Sequence, residues 1–293
     1  MKTEQPLGGK ILTPTFLFCL FIFLVSLIFM AKRFIYGLGA VSNLSDGYPW
    51  GLWIAFDVVI GTAFGCGGYA MALLVYVFNK GEYHPLMRPA VMTSLFGYSL
   101  AGVAVVIDVG RYWQLYNIFL PWYMNPNSVL LEVALCVGAY VAVLWVEFTP
   151  AFLTKFGAEN AKAFMNKIMF VFIALGILLP TMHQSSLGTV MVVAGSKLSP
   201  LWWTRLLPLL FLISCIFLGY AIVVFESSVT GSRYPIHDET HLLGKVSAVM
   251  AWLIAVYLVI RFADVGIRGH LNLAFKGNPV SYTHLTLPTN REV

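Results

Sequence analysis

Ionisable side chains stand inside long apolar stretches of this sequence, where a charge is costly. A charged group near the centre of a bilayer is tolerated mainly where it handles protons, ions or a bound substrate. Such groups act chemically as proton donors, proton acceptors and hydrogen-bond donors to a carbonyl oxygen. The residues of this kind are Asp57, Tyr98, Asp108, Arg111, Glu132, Glu147, His183 and Glu226.

Two short motifs carry the densest polar chemistry. In IDVGRYW, Asp108 and Arg111 are three residues apart, which predicts an ion pair on one helical face, with a purely structural pair at the membrane rim as the alternative. In LLPTMHQSSLG, His183 follows Pro180, where a proline-loosened turn would expose backbone carbonyls beside a run of polar side chains. That crowding favours a functional histidine over a packing one. Tyr98 could donate a hydrogen bond to a carbonyl group or simply bond to a neighbouring helix.

Long apolar windows must position these residues. The 293 residues are 59% hydrophobic and 11% charged, whereas roughly 25% is usual in soluble domains; the mean hydropathy is +0.81. A spanning helix needs about 20 mainly apolar residues, and barrel strands are much shorter. The fold class is therefore predicted to be all-α, a polytopic transmembrane helix bundle of about seven spans. The windows are residues 12–31, 52–78, 89–109, 129–147, 167–190, 202–226 and 243–263.

Alternating helix direction sorts the candidate residues onto two sides of the membrane. One side is predicted to hold Asp57, Asp108, Arg111, Glu132 and His183, and the other to hold Glu147 and Glu226 at the ends of spans four and six. A slight excess of loop lysines and arginines favours a cytoplasmic N-terminus. Glu132 and Glu147 lie roughly 22 Å apart along one helix and could mark two ends of a proton route. Helix-end carboxylates that simply reach water are the alternative.

Cysteine spacing and net charge argue against two classes of protein, and the two ends of the chain carry further signals. The four cysteines stand singly in four windows, which predicts packing residues and disfavours an iron–sulfur cluster held by this chain. The net charge of +5 is typical of membrane-protein loops and does not indicate nucleic-acid binding. The first apolar run is expected to be a retained span. Residues 279–293 contain SYTHLTLPT, similar to a translated library adapter, so residues 1–278 are expected to be a truncated native domain.

Four motifs carry a family resemblance: DGYPWGLWIAFDVVIGTAFGCGGYA, YHPLMRPAVMTSLFGYSLAG, IDVGRYW and LLPTMHQSSLG. Together they resemble the NrfD or polysulfide-reductase membrane-subunit family, and within it the HybB-type subunits of nickel–iron hydrogenase 2, over about residues 7–278. The resemblance implies a quinone-reactive, multi-pass subunit of the bacterial inner membrane, with further helices beyond the end of this sequence. It would take electrons from a periplasmic iron–sulfur protein, fed by the hydrogenase large and small subunits, and reduce menaquinone without activating hydrogen itself.

The resemblance also implies roles for the candidate residues. His183, Tyr98 and Arg111 would donate hydrogen bonds to a quinone carbonyl. The carboxylates that would relay protons beside the quinone are Asp57, Asp108 and Glu132. A path from the inner face would use Glu147 and Glu226.

Three alternatives to a haem-free, quinone-reactive subunit are a haem-binding subunit, a passive membrane anchor and a secondary transporter. Members of this family have been described as b-type cytochromes, but haem held across two helices commonly needs paired histidines, and only His183 lies deep in a window. We therefore predict no haem. A passive membrane anchor for a hydrogenase would need no glutamate in lipid. A secondary transporter should show internal repeats, and the sequence has no visible repeat symmetry.

Overall fold

Seven membrane-length helices make up the described part of the chain, which comprises residues 12–42, 44, 55–195, 198–233 and 239–275 of a computed structural model. They confirm the all-α prediction, because no strand occurs among these residues. The helices are α1 (Pro14–Tyr36), α2 (Phe56–Val77), α3 (Met87–Asp108), α4 (Val129–Lys155), α5 (Glu159–Val193), α6 (Leu207–Arg233) and α7 (Thr240–Ile267). The expected non-native tail, residues 279–293, lies outside the described residues.

Helices α4 and α6 extend well beyond the apolar windows that predicted them. Glu147 stands two turns before the end of α4 at Lys155, and Glu226 is likewise followed by about two turns of α6. The prediction that both glutamates end their helices is therefore wrong. At 1.5 Å per residue they lie roughly 10–12 Å inside those ends.

Helix α2 is the irregular centre of the bundle. It combines π-helical turns at Ala55–Gly61 and Leu73–Val77 with short α-helical pieces between them. Its glycines allow very close approach: a Cβ atom on Gly65 would lie 2.5 Å from the Tyr98 ring on α3. On the other face, Gly219 of α6 packs against the backbone of Cys66. This contact is the small-residue packing expected between membrane helices.

Helix α1 stands largely apart from the bundle and is held by one buried arginine. Thr13 caps its N-terminus, and Arg33 is the single buried residue of the helix. The Arg33 guanidinium donates to the carbonyl oxygens of Ile107 at 2.6 Å and Val109 at 2.5 Å. Since the last carbonyls of a helix lack helical partners, this side chain fixes the end of α3. Cys19 is exposed on α1, so its predicted packing role is wrong.

Candidate functional site

A tyrosine–histidine hydrogen bond lies at the centre of the bundle. The Tyr98 hydroxyl is 2.8 Å from Nε2 of His183, and both side chains are fully buried. Nδ1 of His183 is 2.9 Å from the carbonyl oxygen of Leu179, which can only accept. In the neutral imidazole, Nδ1 therefore carries the proton, Nε2 accepts, and the Tyr98 hydroxyl donates.

Polar side chains from neighbouring helices surround this pair. Gln184 directs its side-chain amide to the Tyr98 hydroxyl at 3.4 Å and to Thr62 Oγ1 at 3.3 Å. Cys66 Sγ is 3.4 Å from the same Tyr98 hydroxyl. All of these residues are buried, so the centre is a closed polar network inside an apolar bundle.

Helix α5 positions His183 without breaking at Pro180. The helix runs continuously through the proline, which lacks an N–H group to donate. Thr181 and His183 instead turn their side chains back to carbonyl oxygens one turn earlier, at 2.8 and 2.9 Å. The predicted crowding of polar groups is present, and it fixes the orientation of the imidazole ring.

A second polar group, the aspartate pair, consists of Asp57 on α2 and Asp108 at the end of α3. Their carboxyl groups lie close enough to interact, and two carboxylates so close to one another resist ionising together. Asp108 is ten residues beyond Tyr98 on the same helix, which places the two residues roughly 15 Å apart along the helix axis. The Thr62 hydroxyl donates to the carbonyl oxygen of Val58, one turn earlier, at 2.6 Å. Along α2, Thr62 lies between the aspartate pair and the tyrosine–histidine centre. The predicted sharing of one side thus holds for the two aspartates, while His183 lies deeper.

Arg111 and Glu132 lie outside both groups. Helix α3 ends at Asp108 and Val109 is extended, with ψ of 121°, so Asp108 and Arg111 do not share a helical face. The helical spacing that predicted their ion pair is therefore wrong, and Arg111 is exposed. Arg33, which binds the carbonyls on either side of Asp108, is the arginine at this position. Glu132 is half-buried in the first turn of α4.

A cavity of about 350 Å³ opens on the opposite side of the centre, and Glu147 lines it. Its lining extends along α4 from Thr154 inward to Tyr140. The Tyr140 ring makes an edge contact with the Tyr98 ring at 4.7 Å between centroids. The Glu147 carboxylate lies directly over Gly176, whose missing side chain leaves the space it fills. The inner end of the cavity therefore meets the tyrosine–histidine centre.

Glu226 is placed differently from Glu147. It accepts a hydrogen bond from the Thr93 hydroxyl, which ties α6 to α3, and it is not among the described residues that line the cavity. The neighbouring Ser94 hydroxyl accepts a hydrogen bond from the backbone N–H of Gly68 at 2.7 Å. Glu147 therefore lines the cavity, whereas Glu226 lies in a separate contact between α3 and α6.

The histidines do not fit a haem held by two helices. Both ring nitrogens of His183 are engaged by Tyr98 and Leu179, so neither is free to bind iron. His84, His241 and His270 lie at or near helix ends, and His237 is outside the described residues. No group of three His, Cys, Asp or Glu side chains with metal-binding geometry occurs in the described part of the chain.

Sequence reasoning missed several members of the site. Cys66 and Tyr140 read as ordinary core residues, and Arg33 reads as an interfacial cation after a span. Thr62 directly follows Gly61, in an apolar window whose residues show no helical periodicity that would indicate a buried polar face. The glycines opposite Tyr98 and Glu147 were the only local sign that bulky side chains fill these places.

Seven membrane-length helices around a buried polar network are the architecture of a multi-pass helical membrane protein. Residues 40–280 match the family described as "Polysulphide reductase, NrfD", and the chain belongs to that family. It is 47% identical over 277 residues to the "Probable Ni/Fe-hydrogenase 2 b-type cytochrome subunit" of Escherichia coli (strain K12), covering 94% of this chain and 71% of that protein.

More distant relatives belong to other redox complexes. The "Menaquinone reductase, integral membrane subunit" of Nitratidesulfovibrio vulgaris is 31% identical over 255 residues, covering 78% of this chain and 56% of that protein. A selenate reductase subunit of Mesobacillus selenatarsenatis is 24% identical over 274 residues, covering 83% of this chain and 62% of that protein. The similarity to a hydrogenase subunit agrees with the resemblance carried by the motifs.

Proposed function

We propose that this chain is the membrane subunit of a hydrogenase complex in the bacterial inner membrane, with a cytoplasmic N-terminus. It passes electrons from a periplasmic iron–sulfur partner, fed by the nickel–iron large and small subunits, to menaquinone. Membership of the NrfD family and similarity to a hydrogenase 2 subunit and a menaquinone reductase subunit support this assignment. The observation that carries it is the buried Tyr98–His183 hydrogen bond, flanked by the aspartate pair.

Quinone reduction consumes two electrons and two protons, and the protein side chains handle the protons. The carbonyl oxygens of the quinone gain negative charge as electrons arrive, so donors must face them. In the proposed site, Tyr98 is the central donor, and His183 accepts or returns its proton. The aspartate pair supplies protons on the side from which the headgroup enters, with Glu132 and Arg111 at the rim of that entrance.

Substitution of the central hydroxyl tests the proposal. In the full complex, Tyr98→Phe removes the donor while keeping the ring that contacts Tyr140. General acid–base groups contribute about 10²–10⁴-fold to a rate, so hydrogen-dependent reduction of a menaquinone analogue should fall at least about tenfold. Tyr257→Phe is the matched control, because Tyr257 packs against Phe217 away from the centre. An unchanged rate in Tyr98→Phe would support the passive-anchor alternative.

The position of a bound analogue gives a second test of the site. A photoreactive menaquinone analogue should crosslink near the aspartate pair and His183. Crosslinks confined to residues around Glu147 and Glu226 would place the reactive pocket on the other side and overturn this assignment.

We further propose that Glu147 and Glu226 belong to a proton path from the inner face. The cavity that Glu147 lines reaches Tyr140, and Glu226 is bound through Thr93 to the helix that carries Tyr98. A charge that crosses the full membrane potential contributes about 2.3 kcal/mol per 100 mV, so coupling is measurable. In vesicles, Glu147→Gln and Glu226→Gln should slow turnover and weaken its response to an imposed potential. Glu159 is exposed at the start of α5, so Glu159→Gln should change neither the turnover rate nor its response to the potential. If all three variants behave alike, the proposed proton path is wrong.

The proposed function includes no haem in this chain. The engaged nitrogens of His183 support this, although the Escherichia coli relative is named a b-type cytochrome subunit. The subunit separated from its partners should show no reduced haem absorption band and contain almost no iron. One haem per chain would contradict the proposal.

A further inference from the structure

We propose that the mouth of the Glu147 cavity binds the headgroup phosphate of a phospholipid whose headgroup carries a net negative charge. The mouth is the end of the cavity where α3 and α5 begin and α4 ends. The site is separate from the tyrosine–histidine centre, and it does not depend on quinone chemistry.

Cationic and polar side chains from two helices converge on this mouth. Arg88, in the first turn of α3, and Lys162, in the first turn of α5, both line the cavity. Asn166 stands one turn after Lys162 and lines it as well, which adds a neutral donor on the same helical face. The cavity lining thus includes a guanidinium, an ammonium and an amide, which are donor groups that bind phosphate oxygens.

The charge at the mouth is only partly balanced by the protein. Lys162 Nζ is 4.0 Å from a carboxyl oxygen of Glu159, whose side chain is 67% exposed, so water screens that pair. No ion pair to Arg88 occurs within the described part of the chain. Lys162 also stands at a helix N-terminus, where the helix dipole disfavours a cation and favours an anion. A bound phosphate would interact favourably with Arg88, with Lys162 and with the N-terminus of α5.

The cavity also has room and an apolar wall for such a ligand. About 350 Å³ falls within the range of roughly 300–1,000 Å³ that small-ligand sites occupy. Phe148, Met169 and Ile173 line it beside the polar groups and can contact an acyl chain or glycerol carbon. Basic pockets between membrane helices are a known form of anionic headgroup site. Glu147 lies deeper in the cavity, two turns from Thr154 at the mouth, so its carboxylate does not occupy the phosphate position.

The test measures lipid binding to the full complex, with enzymatic activity as a separate readout. Delipidated complex is titrated with micelles containing cardiolipin, phosphatidylglycerol or phosphatidylethanolamine, and with inorganic phosphate, while native mass spectrometry counts bound lipid. We expect tighter binding of the two anionic lipids. Arg88→Gln and Lys162→Gln should each weaken it roughly five- to tenfold, as expected for loss of one charged contact.

A matched control separates the mouth from general surface charge. Lys167→Gln removes an exposed cation of the same helix that does not line the cavity, and binding should be unchanged. If inorganic phosphate competes with the lipid, free phosphate shares the site; if it does not, the ligand is the lipid headgroup, and both results support phosphate recognition. Equal binding of phosphatidylethanolamine, or equal losses in all three variants, would overturn the proposal.

Discussion

A methyl group on Gly176 would occupy the place of the Glu147 carboxylate. An ideal Cβ atom there lies 2.5 Å from Oε1 of Glu147, whereas ordinary contact begins at 3.4 Å. In Gly176→Ala the carboxyl oxygen must therefore move by about 0.9 Å. The obstructing atom is the end of a flexible side chain, so the glutamate can rotate while the α4–α5 backbone stays in place.

The variant should separate function from stability. Alanine favours a helix over glycine by about 1 kcal/mol, which offsets most of the cost of the crowded contact. We expect the free energy of unfolding in detergent to stay within about 1 kcal/mol of the parent. A misplacement near 1 Å can cost a reaction about 10²-fold, so turnover that depends on Glu147 should fall at least about tenfold.

The assay is hydrogen-dependent quinone reduction by the full complex in vesicles, with and without a membrane potential, beside thermal unfolding in detergent. Gly138→Ala on α4 is the control, since no atom lies within 4 Å of its Cβ position. A Gly176→Ala complex with parental rate and parental response to potential would refute the role given to the Glu147 position. A loss of several kcal/mol in stability would refute the packing argument instead.

Three further variants test other contacts. Gly219→Ala should destabilise the protein by about 1–3 kcal/mol in the same unfolding assay, because its Cβ would lie 2.6 Å from the backbone oxygen of Cys66, which cannot rotate away. Arg33→Ala should free α1 from the end of α3 and expose new protease sites near residue 36, and parental proteolysis would contradict the anchor. Asp108→Asn keeps the size and shape of the side chain beside Asp57 but removes one ionisable carboxyl group, so folding should persist while quinone reduction slows; an unchanged rate would exclude the aspartate pair from proton supply.

Hydropathy predicted the number and order of the helices because the bilayer imposes one length on all of them. The same measure could not locate helix ends, since it detects the hydrocarbon region and not the turns that continue into the headgroups. Residues 148–155 carry a proline and polar side chains, yet they complete α4. The position of Glu147 inside the helix followed from this, and it changes the interpretation of that residue from a rim carboxylate to a cavity-lining acid.

The sequence was enough to choose candidate residues for the site, but it could not predict which of them contact one another. Tyr98 and His183 were identified because polar groups in lipid are rare, while their direct hydrogen bond depends on how α3 and α5 face each other. The helical-spacing argument for an Asp108–Arg111 pair failed because the sequence does not show that α3 ends at Asp108. Arg33, from a different helix, binds the backbone carbonyls on either side of Asp108, a contact that spacing rules for neighbours on one helix cannot predict.

The central hydroxyl of Tyr98 is the element shared by both sides of the proposed proton route. Towards one face lie Thr62 and the aspartate pair, and towards the other lie Tyr140 and the Glu147 cavity. Tyr98 carries one proton, which it donates to His183, while Gln184 donates to its oxygen. Once that proton has been delivered to a quinone, Tyr98 must be reprotonated. Neutral His183 carries no proton on Nε2, so the proton comes from the aspartate side or the cavity side, directly or through His183 after it has itself been protonated. In the proposed mechanism, coupling to the membrane potential depends on which of these sources reprotonates Tyr98, and Tyr98→Phe should weaken the response to potential as well as lower the rate.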